Sequence, residues 1–153
     1  MESEKSKDAQ KNKISVGLII DKEELQSNVI FPGEIKEEVM DAPFYLLIFI
    51  SREDVVKISC FPSTTNNIKK ILIKLEEFSP NLVKGISSVL RELNLSKDVL
   101  HTTGLCYELS DCYYESFITG DGMDSEDIEE IKRAFMAIEK VNDVIFEEVE
   151  LLS

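Results

Sequence analysis

The chain has 153 residues, 43% of them hydrophobic and 31% charged, so it can bury a core as one domain or as one domain with an extension. Its 30 acidic and 17 basic residues give a formal net charge of −13. Because a negative field repels phosphate backbones, we expect no direct binding of nucleic acid. The longest apolar run, residues 44–50, has the length of one buried strand and is too short to span a bilayer, so we expect no membrane partner.

Residues 1–13, MESEKSKDAQKNK, are polar and charged, and they lack the apolar middle of a secretion signal. We therefore expect a disordered tail on a cytoplasmic protein. The three cysteines, Cys60, Cys106 and Cys112, are odd in number and have no metal-ligand spacing. In a cytoplasmic protein such cysteines are expected to be reduced, partly buried thiols.

Residues 14–67 have the composition of a β-rich N-terminal extension. The β-branched segment ISVGLII predicts a strand, EIKEEVM predicts a short helix, and FYLLIFI with VVKISCF around SRED predicts a hairpin. The segment PSTTNN, which ends at Asn67, resembles a linker. We therefore place the internal boundary of the chain there.

Residues 68–152 predict a second set of elements, in the order strand, helix, strand, strand, helix, strand. The first strand, IKKILIKL, alternates with Ile71, Ile73 and Leu75 on one face, and Leu72 indicates that the other face is partly covered. The order is that of a split βαβ arrangement. We therefore predict an α+β fold: a ferredoxin-like βαββαβ antiparallel sheet with two helices on one face, which the N-terminal extension either lengthens or covers.

Both ends of the first helix in this set are marked in the sequence. Ser79 is a good N-cap, and Pro80 suits the first helical position, where a missing N–H costs nothing. Asn94 tolerates the left-handed conformation that commonly ends a helix, while Gly85 inside the helix costs ~1 kcal/mol relative to alanine. The apolar residues recur at helical spacing and form one stripe: Leu82, Val83, Ile86, Val89, Leu90 and Leu93.

The segments DVLHTTGLCYEL and CYYESFITG predict a second hairpin around SD. If ELSD is its loop, Tyr107 lies opposite Cys112, and Cys106 lies opposite Tyr113. Because side chains alternate along a strand, the two sulfurs then point to opposite faces of the sheet. We therefore expect no disulfide.

An acidic stretch, GDGMDSED at residues 120–127, precedes the second helix. Its spacing does not match that of a calcium-binding loop, so we expect no metal there. Asp124 or Ser125 is instead expected to cap the helix, with Glu126 and Asp127 in the first turn, where the helix dipole favours acids. The segment DVIFEEVEL then alternates as a closing strand.

Residues 80–95, PNLVKGISSVLRELNL, resemble the ACT domain, a small regulatory ligand-binding module with the same order of strands and helices. In that family a hydrophobic strand and a short polar turn lead to Pro-Gly, an apolar-patterned helix and a closing glycine. Pro80 matches the proline, while Asn81 and Asn94 stand where the family usually has its two glycines. The resemblance extends in order over about 85 residues. It implies a regulatory domain whose ligand, where one is bound, is usually an amino acid.

The turn before this helix is the candidate ligand site. The N–H groups of Asn81 and Leu82 and the positive end of the helix dipole suit a carboxylate. Glu76 or Glu77 could bind an ammonium group, so the set matches an amino acid. The candidate ligand-binding residues are Glu76, Glu77, Ser79, Asn81 and Leu82. The alternative is an ordinary solvated turn beside a capped helix.

No set of residues in the sequence predicts catalysis. His101 is the only histidine and lies among threonines in a predicted strand, which is typical of a sheet-surface residue. No serine or cysteine has a companion base in the sequence. We therefore expect neither an enzyme nor a cofactor.

These observations predict a non-catalytic regulatory module that binds a small metabolite, in particular an amino acid. We expect it to self-associate as a homodimer or a larger assembly and to act through another protein, which the sequence does not identify. The second hypothesis is a structural or adaptor dimerisation domain without ligand binding. It is favoured by Asn81, which replaces the glycine that lets a ligand approach the backbone, and by Phe78, which is apolar where the family often supplies a polar contact.

Overall fold

The structure of the chain, a computed structural model, describes residues 14–124 and 128–152. The predicted disordered tail at 1–13 and the predicted first-turn acids within residues 125–127 lie outside the described residues. None of the helices in the described part of the chain is long and apolar enough to cross a membrane.

The chain divides into two compact units. We call them the N-terminal unit, which comprises Ser15–Asn66 and residues 149–152, and the C-terminal unit, which comprises Asn67–Glu148 and Ile14. Each unit contains one antiparallel sheet and a buried apolar cluster of its own.

The N-terminal unit is a three-stranded sheet with two short helices. Its elements are β1 (Val16–Asp21), α1 (Lys22–Ser27), α2 (Gly33–Glu38), β2 (Phe44–Arg52) and β3 (Val55–Ser63). The strands follow the spatial order β1-β2-β3. Asp21 caps α1, because its carboxylate accepts the N–H of Glu24 at 2.7 Å. The buried core of the unit comprises Ile20, Leu25, Tyr45 and Leu47.

The C-terminal unit is a four-stranded sheet in the order β5-β6-β4-β7. Its elements are β4 (Ile68–Leu75), α3 (Pro80–Glu92), a 3₁₀ turn (Ser96–Asp98), β5 (Val99–Glu108), β6 (Asp111–Thr119), α4 (Asp121–Asp124), α5 (Ile128–Met136) and β7 (Val141–Glu148). The predicted alternation of β4 is confirmed, because Ile71, Ile73 and Leu75 lie in the main core with α3 and α5. Leu72 packs with Tyr113 in a separate small cluster, so its side of the strand is covered as predicted.

The predicted fold class is wrong. The described residues form seven strands in two antiparallel sheets, of three and four strands, rather than a ferredoxin-like βαββαβ sheet with an extension. Strands make up 44% of the structure, which is richer in strand than the predicted class. The N-terminal strands do not lengthen the C-terminal sheet, because they pair with one another along their length and bury a core of their own.

The last residues of the chain also leave the predicted closing strand. β7 ends at Glu148, and Leu151 forms a parallel bridge with Ile19 of β1 instead. The N–H of Ile19 donates to the carbonyl of Glu150 at 2.9 Å. The alternating pattern continues past Glu148, but the strand against which it pairs changes.

The prediction that the second hairpin has no disulfide is also wrong. Cys106 and Cys112 lie directly opposite each other, with Cα atoms 4.0 Å apart, and form a disulfide. The register shifts between Cys106 and Glu108, so Tyr107 is an extra residue in β5 and the turn between Glu108 and Asp111 has only two residues. Because a shift of one residue reverses the face of every side chain beyond it, both sulfurs come to the same face.

Candidate functional site

The start of α3 has the predicted cap. Ser79 Oγ accepts the N–H of Leu82 at 3.3 Å, its carbonyl accepts the N–H of Val83 at 3.1 Å, and Pro80 occupies the first helical position. The cap uses one of the two N–H groups that the sequence assigned to a ligand, namely that of Leu82. The N–H of Asn81 donates to no acceptor within the described residues, so it is the amide that remains for an anion.

Lys140, which the sequence did not single out, is fixed beside this turn by its backbone and by its side chain. Its carbonyl accepts the N–H of Glu76 at 3.0 Å, and its ammonium lies 2.6 Å from Glu77 Oε1. Lys140 has a φ of 74°, a left-handed conformation, in the connection between α5 and β7. The hydrogen bond and charge of Glu77, with smaller contributions from Glu139 and Glu76, raise the pKa of Lys140 above its ordinary value. Lys140 is therefore a cation at neutral pH.

A cavity of about 340 Å³ opens between the turn that precedes α3 and the connection between α5 and β7. Its lining comprises Glu77, Ser79, Asn81, Leu82, Ile138, Glu139 and Lys140. Four of the five candidate ligand-binding residues predicted from the sequence are in this set, and the fifth, Glu76, is exposed and lies outside the lining. The volume is at the lower end of the roughly 300–1,000 Å³ that is usual for ligand pockets.

Ile138, Glu139 and Lys140 reach the cavity because β7 pairs with β4. The pairing places Val141 opposite Leu75, so the residues that precede β7 lie beside those that follow β4. Sequence reasoning missed these three residues because the pairing joins positions more than sixty residues apart, and the local pattern carries no signal for it. It is this pairing that brings a cation to the carboxylates of the predicted turn.

The lining combines charges of both signs with one apolar wall. Glu77 and Glu139 supply carboxylates, whereas Lys140 and the N–H of Asn81 supply positive groups at the positive end of the α3 dipole. Leu82 and Ile138 supply the apolar surface. Such a set suits a small zwitterion that carries both an anionic and a cationic group.

Phe78, which the sequence placed at a possible ligand contact, packs against β5 instead. Its ring covers the backbone of Gly104 so closely that a Cβ atom at Gly104 would collide with it. Phe78 therefore serves as a packing residue of the turn and does not line the cavity. A glycine at position 104 is required for this close approach.

His101 lies half-buried in β5, and its Nε2 is 2.8 Å from the hydroxyl of Thr103. Burial lowers the pKa of the imidazole below its ordinary value, which favours the neutral ring.

Asp124, in the acidic stretch that precedes the second predicted helix, is bound to the start of β4. Lys69 Nζ lies 2.9 Å from Asp124 Oδ1, and Asn67 Nδ2 donates to Oδ2 at 2.5 Å. The hydrogen bond from Lys69 is the main cause of the lowered pKa of Asp124. Within residues 14–124 and 128–152, no group of three or more potential ligand side chains is arranged to hold a metal ion.

No protein-family model matches the chain, and no curated protein matches it. The resemblance of residues 80–95 to ACT domains therefore stays a prediction. The cavity at the start of α3 is the structural feature from which a function can be inferred.

Proposed function

We propose that the chain is a non-catalytic regulatory module that binds a small zwitterionic metabolite, an amino acid, in the cavity at the start of α3. The observation that carries this proposal is the convergence of Lys140, Glu77 and the unpaired N–H of Asn81 on one cavity. These groups provide one site for a carboxylate and another for an ammonium group.

In the bound state the ligand carboxylate accepts hydrogen bonds from the N–H of Asn81 and from Lys140. The ligand ammonium lies against Glu77 and Glu139, and its side chain packs on Leu82 and Ile138. The ligand thus inserts between Lys140 and Glu77, which are 42% and 46% exposed in their side chains, so little desolvation opposes the exchange of partners.

Regulation requires that binding favours one state of an assembly over another, since a ligand with equal affinity for both states shifts neither. We propose a homodimer or larger assembly in the cytoplasm, with the signal passed to a separate protein. The strong negative charge of the chain favours a partner with a basic surface.

The test is a thermal-shift screen with the twenty free L-amino acids. A bound ligand raises the melting temperature by mass action, by an amount that corresponds to about 2.7 kcal/mol when its concentration is 100 times the Kd. Lys140→Gln and Glu77→Gln should abolish the shift. Lys84→Gln, at an exposed position of α3 outside the cavity, is the matched control and should retain it. A screen without any stabilising amino acid, or a shift that survives Lys140→Gln, would contradict the proposal.

A second candidate, a structural or adaptor dimerisation domain without a ligand, is favoured by one observation. Two polar contacts of the cavity are already made within the chain, because Ser79 binds the N–H of Leu82 and Glu77 binds Lys140. Sedimentation measurements separate the two candidates. A dimer whose dissociation constant is unaffected by every amino acid in the screen would support the second one.

A further inference from the structure

The disulfide between Cys106 and Cys112 lies at the end of the β5–β6 hairpin, where Cys112 is opposite Leu75, the last residue of β4. Cys106 is exposed to solvent, whereas Cys112 is 1% exposed. β5 is an outer strand of its sheet, so in the described residues no strand lies on the side of Cys106 that faces away from Cys112. An incoming thiolate can therefore reach Cys106 while the protein remains folded.

Both cysteines are connected to the cavity loop, residues 76–81. Cys112 lies opposite Leu75 in the β4–β6 pairing, and Glu76 and Glu77 follow Leu75 directly. Gly104 is two residues before Cys106 and thus on the same face of β5, and it supports the ring of Phe78. The disulfide thereby links β5, against which Phe78 packs, to β6, which pairs with the end of β4.

The geometry points to a thiol–disulfide exchange site at Cys106–Cys112 that a dithiol reductant can reach. The redox state of this cysteine pair determines how well residues 76–81 are ordered. The consequence for ligand binding rests on the proposed function of the cavity. The exchange itself does not, because it depends only on the access to Cys106 and on the contacts of the hairpin.

The exchange is a two-electron reduction in which the dithiol is the electron donor. A thiolate of the reductant attacks Cys106 Sγ, the bond between the two protein sulfurs breaks, and Cys112 leaves as a thiolate that takes up a proton. The second thiolate of the reductant then attacks the mixed disulfide, which releases Cys106 and closes the reductant into its own disulfide. Cys112 Sγ lies 3.9 Å from the carbonyl oxygen of Glu108, where the new thiol can donate a weak hydrogen bond.

Reduction removes the disulfide cross-link between the two strands at a point where the ladder is already irregular, since the register shifts next to Cys106. Gly104 then holds its position less firmly, and so does the ring of Phe78. In the chain, Phe78 lies between the cavity residues Glu77 and Ser79. By linkage, a ligand that favours the ordered loop also favours the oxidised hairpin by the same factor.

The first measurement is the accessibility of the disulfide in the folded protein. The Cys60→Ser background removes the remaining free thiol, which is half-buried in the N-terminal unit. After treatment with dithiothreitol without denaturant, alkylation should modify Cys106, the exposed cysteine of the pair. Alkylation that requires urea would overturn the proposal, because the disulfide would then be purely structural.

The second measurement is amide hydrogen exchange of residues 76–81 in the oxidised and the reduced protein. We expect about fivefold faster exchange after reduction, with no change in β2 as the internal control. Gly104→Ala should accelerate the loop to a similar degree without touching the cysteines, because its Cβ displaces Phe78. Phe78→Ala should remove the response to reduction. Equal exchange in the oxidised and the reduced protein would overturn the proposal.

These two measurements contain no ligand, so their outcome is independent of the amino-acid screen. If no amino acid stabilises the protein but reduction accelerates exchange in residues 76–81, the metabolite proposal is contradicted and the exchange site is supported. If an amino acid stabilises the protein but reduction does not change exchange in residues 76–81, the metabolite proposal is supported and the exchange site is contradicted.

Discussion

At the scale of single residues, the most deeply buried charges in the described part of the chain form one pair. Lys70 and Glu115 are 3% and 0% exposed in their side chains, and Nζ and Oε2 are 2.9 Å apart. The same carboxylate oxygen accepts the N–H of Ile14 at 2.9 Å, and the ammonium lies 5.6 Å from the centre of the Phe117 ring. These contacts offset the cost of removing two charges from water.

Breaking this pair on one side should therefore be expensive. We expect Glu115→Gln, which keeps an acceptor for Ile14, to lower the free energy of unfolding by about 3–5 kcal/mol, because it removes the buried carboxylate that neutralises Lys70. The double variant Lys70→Met with Glu115→Gln, which keeps the same acceptor for Ile14, should regain most of this loss. Urea denaturation measures both. A double variant as unstable as the single one would show that the charges themselves contribute little.

The pH dependence of stability should carry a contribution from Asp124. Its pKa is lowered from 3.8 in the folded protein, mainly by Lys69, so its contribution is present above about pH 4 and is lost as the pH falls through the folded pKa. Asp124→Asn should be less stable than the parent at neutral pH, and the difference should shrink in acid. Unfolding free energies of both proteins at neutral pH and near pH 3 test this. A constant difference would contradict it.

At the scale of elements, α3 is the part of the molecule whose ends are most clearly determined by local chemistry. Ser79 caps its start, and Asn94 adopts a left-handed φ of 59° after its last turn. The N–H of Leu95 then returns to the carbonyl of Leu90 at 2.7 Å. Both end signals predicted from the sequence are confirmed, because each acts over only a few residues.

Removal of the cap should destabilise α3 by a defined amount. Ser79→Ala should lower the free energy of unfolding by about 1 kcal/mol, because the N–H of Leu82 loses its acceptor. Ser88→Ala, at an exposed position inside the same helix, is the matched control and should change stability by no more than about 0.5 kcal/mol. Urea unfolding of the two variants is the measurement. Equal effects would indicate that Ser79 does not act as a cap.

The second hairpin shows where element-level prediction fails. Strand content and the approximate turn were predictable from β-branched and aromatic residues, but the register was not. One extra residue, Tyr107, moves the turn to Leu109 and Ser110 and brings Cys106 opposite Cys112. Period-2 alternation is the same on either side of a bulge, so the sequence pattern does not reveal which residue is extra.

At the scale of the whole molecule, the net charge of −13 should govern any association between copies. Two chains of this charge repel each other, and salt screens the repulsion over a Debye length of ~10 Å at 0.1 M. We therefore expect self-association to tighten as sodium chloride is raised. Sedimentation equilibrium at low and moderate salt measures this. A dissociation constant that increases with salt would show instead that attraction between opposite charges holds the copies together.

The two-sheet organisation was also beyond sequence reasoning. The pattern of β1–β3 is equally compatible with strands that join a larger sheet and with strands that form their own. The outcome depends on which strand edges meet, and here β2 lies between β1 and β3. Leu151, more than 130 residues from Ile19, completes the same unit through a parallel bridge.

The sequence by itself determined the features that act over a few residues: the cap and end of α3, the buried face of β4, and four residues of the cavity lining. Only the tertiary structure decided the membership of the two sheets, the register at Cys106, and the arrival of Lys140 beside Glu77. The physical reason is the separation along the chain over which each interaction acts. Caps and periodicity depend on covalent neighbours, whereas strand pairing is chosen among distant partners with similar patterns.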